Sequence, residues 1–302
     1  MAKKEKKVKD VSLVLTQRSG VEKLVFGIMF VIFLLYAVVL ITPFVWMMSQ
    51  SFHVSASYPL HVSRNGPFTL PEVWQFSNYA EAFVKMEHNG VNFIQMIMNS
   101  LMHIALGIFF GQLWPICTGY VFSKYRFRGR EIMYAIAIFT MTVPIVGSSG
   151  AYYKLIAALH LYDTFPFFDI VTSINTGFGG NFLLYYGIFK SISWSYAEAV
   201  FIDGGNDYTV FVRIMLPQAI PAISALAITS AIGIWNEYAA IIMYKPSYLT
   251  VAAGLYYVSL NTSRIKPIYY AGLIISIIPV LVLFSFAAEG MMKNLSIGGI
   301  KG

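Results

Sequence analysis

The chain has 302 residues, of which 57% are hydrophobic and only 12% are charged, and its mean hydropathy is +0.65. Soluble domains carry about 25% charged residues, so this composition excludes a soluble globular protein and predicts that lipid covers most of the surface. The formal net charge is +7, but the basic residues flank apolar segments, which favours membrane orientation over nucleic-acid binding.

Six apolar segments are long enough to cross a bilayer, since a helix needs about 20 mostly apolar residues to span a core of about 30 Å. The alternating ten-residue strands of a β-barrel are absent from the sequence, and helices otherwise satisfy the backbone within lipid. The predicted fold class is all-α, a polytopic membrane protein with six transmembrane helices. The fourth segment is the weakest, because glycine and asparagine interrupt it. The predicted spans are 24–48, 93–122, 132–155, 170–189, 220–244 and 268–288.

The first segment follows lysines at positions 3, 4, 6, 7 and 9. A signal peptide is one interpretation, but the apolar run is too long and residues 41–44 are not a small-residue cleavage site, so we expect an uncleaved anchor. Residues 1–23 are then a basic cytoplasmic tail, and residues 24–302 form the transmembrane domain. The single cysteine, Cys117, lies inside the second span, so no disulfide framework or cysteine-based metal site is expected.

The positive-inside rule sets the predicted orientation, with both termini in the cytoplasm. The cationic loop 123–130 and Lys190 then lie inside, as the rule requires. Lys245, Arg264 and Lys266 are exceptions, because they fall in an outer loop. Most of the charge pattern is consistent with this topology.

A polar segment at 196–217 separates the fourth and fifth spans, where a short turn would suffice. Its D-G-G-N sequence favours a sharp bend, because these residue types tolerate positive φ. Asn206 or Asp207 is expected to cap the helix that follows. That helix, at about 208–215, is expected to end before Pro217. On physical grounds alone, it either docks a partner protein or rests on lipid as an interfacial amphipathic helix.

The same segment resembles the EAA loop of ABC importer permeases, which reads Glu-Ala-Ala, three residues, Gly, nine residues, Ile-x-Leu-Pro. The spacing matches throughout, and Val200 in place of the third alanine is a conservative departure. The resemblance implies a cytoplasmic coupling helix that sits in a groove of a separate ATPase subunit. The ATPase-coupling residues that it implies are Glu198, Ala199, Asp203, Gly204, Ile214, Leu216 and Pro217.

Two further patterns resemble the carbohydrate-uptake branch of this family, close to the maltose-type second permease subunit. They are Trp-Asn-Glu-Tyr at 235–238 and Gly-Gly-Ile-Lys-Gly at 298–302. The resemblance implies a bacterial cytoplasmic membrane location and three partners: a second homologous permease, an ATPase dimer, and an extracellular or periplasmic solute-binding protein. It also directs the outer loop 245–266 toward the binding protein and the tail 296–302 toward the ATPases.

The sequence lacks the G-x-x-x-x-G-K-[ST] pattern of a P-loop. We therefore expect no cofactor, no metal site and no enzymatic activity in this chain, and we expect the partner ATPases to use ATP-Mg. We then expect transport by alternating access, driven by the separate ATPase subunits.

Polar and aromatic side chains in the spans give a candidate substrate pathway. Glu237 is a functional candidate, because a carboxylate in an apolar span is costly. It lies ~24 Å along the helix from Pro221, which favours an outer cavity over a midplane proton relay. Asn99, Ser100 and His103 share one side of the second span, where an interhelical hydrogen bond is favoured over cavity lining. The candidate pathway residues are Asn99, Tyr152, Trp235, Asn236, Glu237 and Tyr238.

Several functions stay open at this point. The leading hypothesis is a permease subunit of an ATP-driven importer for a sugar or oligosaccharide. The alternatives are an ABC permease for a non-sugar solute, a proton-coupled symporter and a membrane scaffold without transport. The sequence disfavours the symporter, since it has no second acid within a predicted span and no visible inverted repeat.

Overall fold

A computed structural model describes residues 20–143, 147, 149–174, 177–260 and 266–295, with side chains as far as residue 285. Residues 1–19 of the predicted tail and the C-terminal pattern at 298–302 lie outside the described residues, whereas residues 20–23 of that tail begin α1. Helices dominate the described part, as predicted, and its two strands have two residues each and pair antiparallel. In chain order the elements are α1 Gly20–Ser51, α2 Tyr58–Asn65, α3 Ser77–Lys85, β1 Glu87–His88, β2 Val91–Asn92, α4 Phe93–Lys124, α5 Arg130–Thr142, α6 Ser149–Ala158, α7 Phe167–Ile174, α8 Gly180–Ser191, α9 Ser195–Ile202, α10 Asp207–Thr209, the π-helix Val210–Met215, α11 Leu216–Asn236, α12 Ala239–Tyr244, α13 Val251–Leu260 and α14 Lys266–Leu295.

Four helical stretches in the described part are long and apolar enough to cross a membrane. They contain the first and second predicted spans, most of the sixth and the first part of the fifth, and each begins at or before the predicted first residue. Most apolar side chains of the first stretch point outward, which is typical of a helix whose solvent is lipid. The stretches are Gly20–Ser51, Phe93–Lys124, Asp207–Asn236 and Lys266–Ser285.

The third and fourth predicted spans are each divided into two shorter helices. The third is α5 and α6, and α5 ends because Val143, which precedes a proline in the sequence, adopts an extended backbone (φ −86°, ψ 110°). The fourth is α7 and α8, and the extended Gly179 precedes α8. Residues 144–146, 148, 175 and 176, between these helices, lie outside the described residues. The glycines and asparagines that weakened the fourth span therefore coincide with a real interruption.

The fifth predicted span also has a break near its outer end. α11 ends at Asn236, and Glu237 is extended (φ −72°, ψ 116°) before α12 begins. The Glu237 side chain caps α12, because its Oε1 accepts a hydrogen bond of 2.9 Å from the backbone N–H of Ala240. The expectation of one unbroken helix over 220–244 is therefore wrong.

Two groups of buried side chains hold the helices together. The first lies where α4, α11, α13 and α14 meet, and it includes Met96, Trp235 and Ile268. The second lies where α4, α8 and the π-helix meet, around Tyr185 and Met215. Each group joins segments that are distant in sequence. The second group therefore fixes how the EAA-like stretch at 196–217, called the coupling segment below, is attached to the transmembrane helices.

Gly119 permits the closest approach between α4 and α8. A Cβ atom there would lie 2.7 Å from the Cβ of Tyr185 and 2.9 Å from the backbone nitrogen of Tyr186. Small residues at such crossings are typical of membrane helix pairs, because they let two backbones approach. Neither opposing atom is at the end of a flexible side chain, so added bulk would push the helices apart.

We expect Gly119→Ala to lower the free energy of unfolding by about 1–3 kcal/mol, through overpacking of this crossing. Thermal or denaturant unfolding of the detergent-purified protein measures the effect. Gly187→Ala is the matched control, because a Cβ at Gly187 in α8 would meet nothing within 4 Å and alanine favours a helix by up to about 1 kcal/mol. Equal stability of the two variants would contradict the close crossing.

Candidate functional site

The coupling segment reverses direction directly after α9. Gly204 has φ +78°, in the left-handed region that glycine adopts without strain. Gly205 donates its backbone N–H to the carbonyl of Val200 at 2.8 Å, and a Cβ at Gly205 would lie 2.5 Å from Val200 Cγ1. The two glycines have different functions, since the first allows the turn and the second allows close contact with α9. The bend predicted from the D-G-G-N sequence is present.

Asn206 caps the helix that follows the turn. Its Oδ1 accepts hydrogen bonds of 3.0 Å from both the backbone N–H and the hydroxyl of Thr209. Asp207, the other candidate cap, instead accepts a 2.7 Å hydrogen bond from the Tyr125 hydroxyl. Burial raises the pKa of Tyr125, and its hydrogen bonds to Tyr120 and Asp207 raise it further, so the phenol stays protonated and donates. This bond ties the coupling segment to the loop after α4.

The expected end of the helix before Pro217 is wrong. The π-helix Val210–Met215 leads without interruption into α11, and Leu216 keeps helical angles (φ −64°, ψ −47°). Pro217 lies in the first turn of α11, a position that tolerates a missing N–H, and the π turn before it changes the hydrogen-bond register. The separate short helix of this segment is therefore α9, and the stretch from Asp207 to Asn236 is continuous.

The seven predicted coupling residues divide into two groups. Glu198, Ala199, Asp203 and Gly204 are exposed around the tip of α9, as is Pro217 at the start of α11. The two aliphatic residues of the motif, at 214 and 216, are half-buried against the rest of the protein. The first four are thus available to a partner, whereas the aliphatic pair attaches the segment to the transmembrane helices.

Large apolar side chains project from the same tip. Ile202 is 86% exposed, the highest value among large apolar side chains in the described part of the chain, and Tyr208 is 72% exposed. Tyr196 and Phe201 are also exposed. Sequence reasoning missed Ile202, although a large aliphatic residue directly before a polar D-G-G-N turn was a usable signal. Exposed apolar groups rimmed by polar residues mark an interaction surface.

Three of the predicted pathway residues have packing functions. Trp235 is only 4% exposed and belongs to the core between α4 and α11. Asn99 donates its side-chain amide to the carbonyl of Leu249 at 3.0 Å, which joins α4 to the segment before α13. Tyr152 packs edge-on against Tyr244, with ring centroids 5.4 Å apart. Asn99 thus makes a hydrogen bond to another segment, although its acceptor lies just before a helix and not within one.

The other three pathway residues lie together at the break after α11. Asn236, Glu237 and Tyr238 are exposed, and Tyr238 stacks on Tyr256 of α13 with centroids 5.1 Å apart. Among the described residues, no hydrogen bond or ring contact joins Tyr152 to these three. The structure therefore supports a polar and aromatic site at 236–238 and does not assemble all six candidates.

A buried ionic cluster is the main feature that sequence reasoning missed. The Nζ of Lys245 lies 2.6 and 2.7 Å from the two carboxylate oxygens of Asp169, and both side chains are 1% exposed. The Nδ1 of His103 lies 3.0 Å from Asp169 Oδ1. Phe165 and Phe168 approach the ammonium group with ring centroids within 5.6 Å. The cluster joins α4, α7 and the segment after α12.

A sequence signal for this cluster existed. Lys245 was one of the outer cations that broke the positive-inside pattern, and an unexplained cation beside an apolar segment requires a partner. Asp169 precedes the predicted start of the fourth span by one residue and was therefore not counted as an acid within a span. Since 76 residues separate the two, no local pattern pairs them.

Comparison with known proteins then identifies the family. The model of the family "Binding-protein-dependent transport system inner membrane component" matches residues 103–296, more than half of the chain. The chain belongs to this family. It is an integral membrane component of a binding-protein-dependent transport system, and as a transport subunit it is not an enzyme. The predicted resemblance to ABC importer permeases and the predicted all-α membrane fold are confirmed.

Curated relatives of this permease have low identity and high coverage. The diacetylchitobiose uptake system permease protein NgcG of Streptomyces coelicolor is 25% identical over 273 residues, which cover 88% of this chain and 85% of that protein. The maltodextrin transport system permease protein MdxG of Bacillus subtilis is 26% identical over 272 residues, which cover 89% and 93%. The chain thus aligns with these proteins over nearly their whole lengths.

The fold of the permease is also similar to a solved structure. A crystal structure of a bacterial ABC transporter involved in the import of the acidic polysaccharide alginate matches with a TM-score of 0.71 and 23% identity, over 90% of this chain and 98% of that one. At this identity the match shows the fold.

The buried ionic cluster leads to a stability prediction. Lys245→Met leaves the buried carboxylate of Asp169 without its cation, and we expect the free energy of unfolding to fall by about 3–5 kcal/mol. The double variant Asp169→Asn with Lys245→Met removes both charges, so we expect it to regain most of that loss. Denaturant unfolding in detergent measures both.

Lys85→Met is the control, because its ion pair with Glu81 (2.7 Å) is solvent-exposed. Exposed pairs contribute about 0–1 kcal/mol, so we expect little change. If the single Lys245 variant were as stable as the Lys85 variant, the cluster would not be a structural constraint.

Proposed function

We propose that this chain is a permease subunit of an ATP-binding-cassette importer for a sugar or oligosaccharide. Membership of the importer family supports the transport function, and the permeases named for diacetylchitobiose and maltodextrin uptake support the solute class. The observation that carries the proposal is the exposed tip of α9 in the EAA-like segment, attached to a continuous helix that ends at the polar site 236–238.

The geometry suggests how motion crosses the membrane. The helical stretch Asp207–Asn236 has 30 residues and, at 1.5 Å per residue, is ~45 Å long, which exceeds a core of about 30 Å. Val210 and Met215 are fully buried under α9, so the tip cannot move without this stretch. Displacement of the tip by an ATPase is therefore transmitted to Asn236 and Glu237 at the other end. That displacement changes the access of solute to the exposed site at 236–238.

The break after α11 provides the exposed groups for solute contact. Tyr238 presents an aromatic ring, and Asn236 and Glu237 present polar groups that can hydrogen-bond to sugar hydroxyls. Glu237 already caps α12, so solute binding at its carboxylate would act on α12 as well. We assign these three residues to the pathway and leave Asn99, Tyr152 and Trp235 as the packing that supports it.

The proposed assembly contains three kinds of partner in addition to this permease. A second homologous permease completes the pathway, an ATPase dimer binds the tips of the coupling segments and uses ATP-Mg, and an extracellular or periplasmic solute-binding protein delivers the sugar. The cationic loop 123–130 lies beside the tip of α9, since Tyr125 of the loop hydrogen-bonds to Asp207. The positive-inside rule places such a loop in the cytoplasm, which supports a cytoplasmic location for the tip. Both termini are then cytoplasmic, in a bacterial cell membrane.

The first test is purification from the native membrane in mild detergent, followed by uptake measurements in reconstituted vesicles. We expect a second permease, an ATPase and a solute-binding protein to co-purify, and labelled oligosaccharide uptake to require ATP inside the vesicles. Uptake that survives without ATP and collapses with the proton gradient would instead favour the symporter. ATP-dependent uptake of only non-sugar solutes would refute the proposed solute class and retain the importer.

A second test concerns the tip of α9. We expect Ile202→Glu to weaken ATPase association about 30-fold, because burial of such a side chain contributes about 2 kcal/mol, and ATP-driven uptake should fall with it. Folding should be unaffected, since Ile202 is 86% exposed. Size-exclusion chromatography of permease with ATPase measures the association.

Val84→Glu is the matched control for the tip variant, because Val84 is 76% exposed on α3, far along the chain from the coupling segment. We expect this variant to retain the ATPase and full uptake. Retention of the ATPase by the Ile202 variant would mean that α9 is not the docking element.

A further inference from the structure

A basic pocket lies between the end of α4, the start of α5 and the end of α8. Its volume is about 550 Å³. Four cationic side chains line it, from Lys124, Arg126, Arg130 and Lys190, and none of its eleven described lining residues is acidic. Positive charge from three helices therefore converges on one cavity that has no internal counter-ion.

Two of the four cations are held in place by neutral partners. Lys124 donates its ammonium group to the carbonyl of Ile192. Arg130 donates Nε to the carbonyl of Phe122 at 2.7 Å and a terminal nitrogen to the Tyr186 hydroxyl at 3.1 Å. These bonds fix the walls of the pocket without removing its charge. The carboxylate that pairs with Arg130 belongs to Glu131, which is 80% exposed and does not line the cavity.

The other two cations remain available to a ligand. Within the described part of the chain, no ion pair involves Arg126 or Lys190. Lys190 lies 5.5 Å from the ring centroid of Tyr186, which orients its ammonium group beside the cavity. An anion with several acceptor oxygens, such as a phosphate, matches this arrangement of lysine and arginine donors.

An exposed apolar face lies on α5, the helix whose first residue, Arg130, lines the pocket. Ile132, Ile136 and Phe139 are 68%, 55% and 65% exposed, and they share one face because they are spaced at i, i+4 and i+7. Such a face is typical of a helix in contact with lipid, so the pocket lies beside a helix that borders the bilayer. Trp194 also lines the pocket, and tryptophan is enriched at the headgroup level of membranes. A phosphate attached to an acyl chain therefore fits better than a free one.

We propose that this basic pocket binds the phosphate headgroup of an anionic phospholipid from the bilayer that α5 borders. Basic pockets between membrane helices on the cytoplasmic side are suited to such headgroups. The site is separate from the pathway residues at 236–238, and it does not depend on which solute is transported. A bound lipid would hold α4, α5 and α8 together beside the coupling segment.

The test compares lipid binding to the full chain in the complex with which it purifies. The probe is phosphatidylglycerol, added to the delipidated complex and counted by native mass spectrometry. We expect Arg126→Gln with Lys190→Gln to weaken binding about 30-fold, from two lost cation contacts. Arg128→Gln with Arg213→Gln is the matched control, since it removes the same charge from exposed positions that do not line the pocket. We expect that variant to bind within about twofold of the wild type.

Four outcomes would overturn the proposal. Equal losses in the two double variants would show that diffuse charge, and not the pocket, attracts the lipid. Equal retention of phosphatidylcholine and phosphatidylglycerol, or displacement of the lipid by millimolar inorganic phosphate, would show that the site does not select an anionic phospholipid. Unchanged lipid binding with loss of the ATPase from the Arg126 and Lys190 variant would assign the pocket to protein docking.

Discussion

The contact between Lys245 and Asp169 is the constraint on which the packing of α4, α7 and α12 in this permease depends. Two opposite charges are buried together, with His103 as a third member, and separating them would leave each one desolvated and unpaired. Asp163 adds a second connection nearby, since its backbone N–H bonds to the Tyr244 carbonyl and its carboxylate accepts from the N–H of Ser247. The ends of α4, α7 and α12 are therefore held as one block.

This block and the coupling segment are linked by the continuous stretch that contains α11. At its N-terminal end, buried Val210 and Met215 pack in a cluster with Ala197 of α9. At its C-terminal end, Glu237 terminates α11 and caps α12, which leads within six residues to Lys245. In the proposed mechanism, force applied at the tip therefore reaches the ionic block through Glu237 and Tyr238, the two residues between α11 and α12. The proposed solute site lies at this junction.

The parts of the structure that follow from local sequence were predictable. The turn at Gly204 and the cap at Asn206 depend on neighbouring residues, and both were predicted correctly, with Asp207 as the alternative cap. The helical membrane fold followed from apolar length alone. Pro217 was misjudged, because a proline ends a helix only if it lies beyond the first turn, and the π-helix before it placed it at the start of α11. The burial of Trp235 could not be predicted from neighbouring residues, since it depends on α4, which is distant in sequence.

The charges of this chain show why the buried pair could not be predicted and why the predicted topology still follows. The positive-inside rule counts every lysine and arginine in a loop, and Lys245 therefore counted as evidence against the orientation. In the folded protein its charge is neutralised by Asp169, which lies 76 residues away. By contrast, Arg126, Arg128 and Lys190 have no ion-pair partner among the described residues. The rule counts cations whether or not an acid pairs with them, so Lys245 stays an exception to it, whereas Arg126, Arg128 and Lys190 lie on the side of the coupling segment and support the proposed orientation.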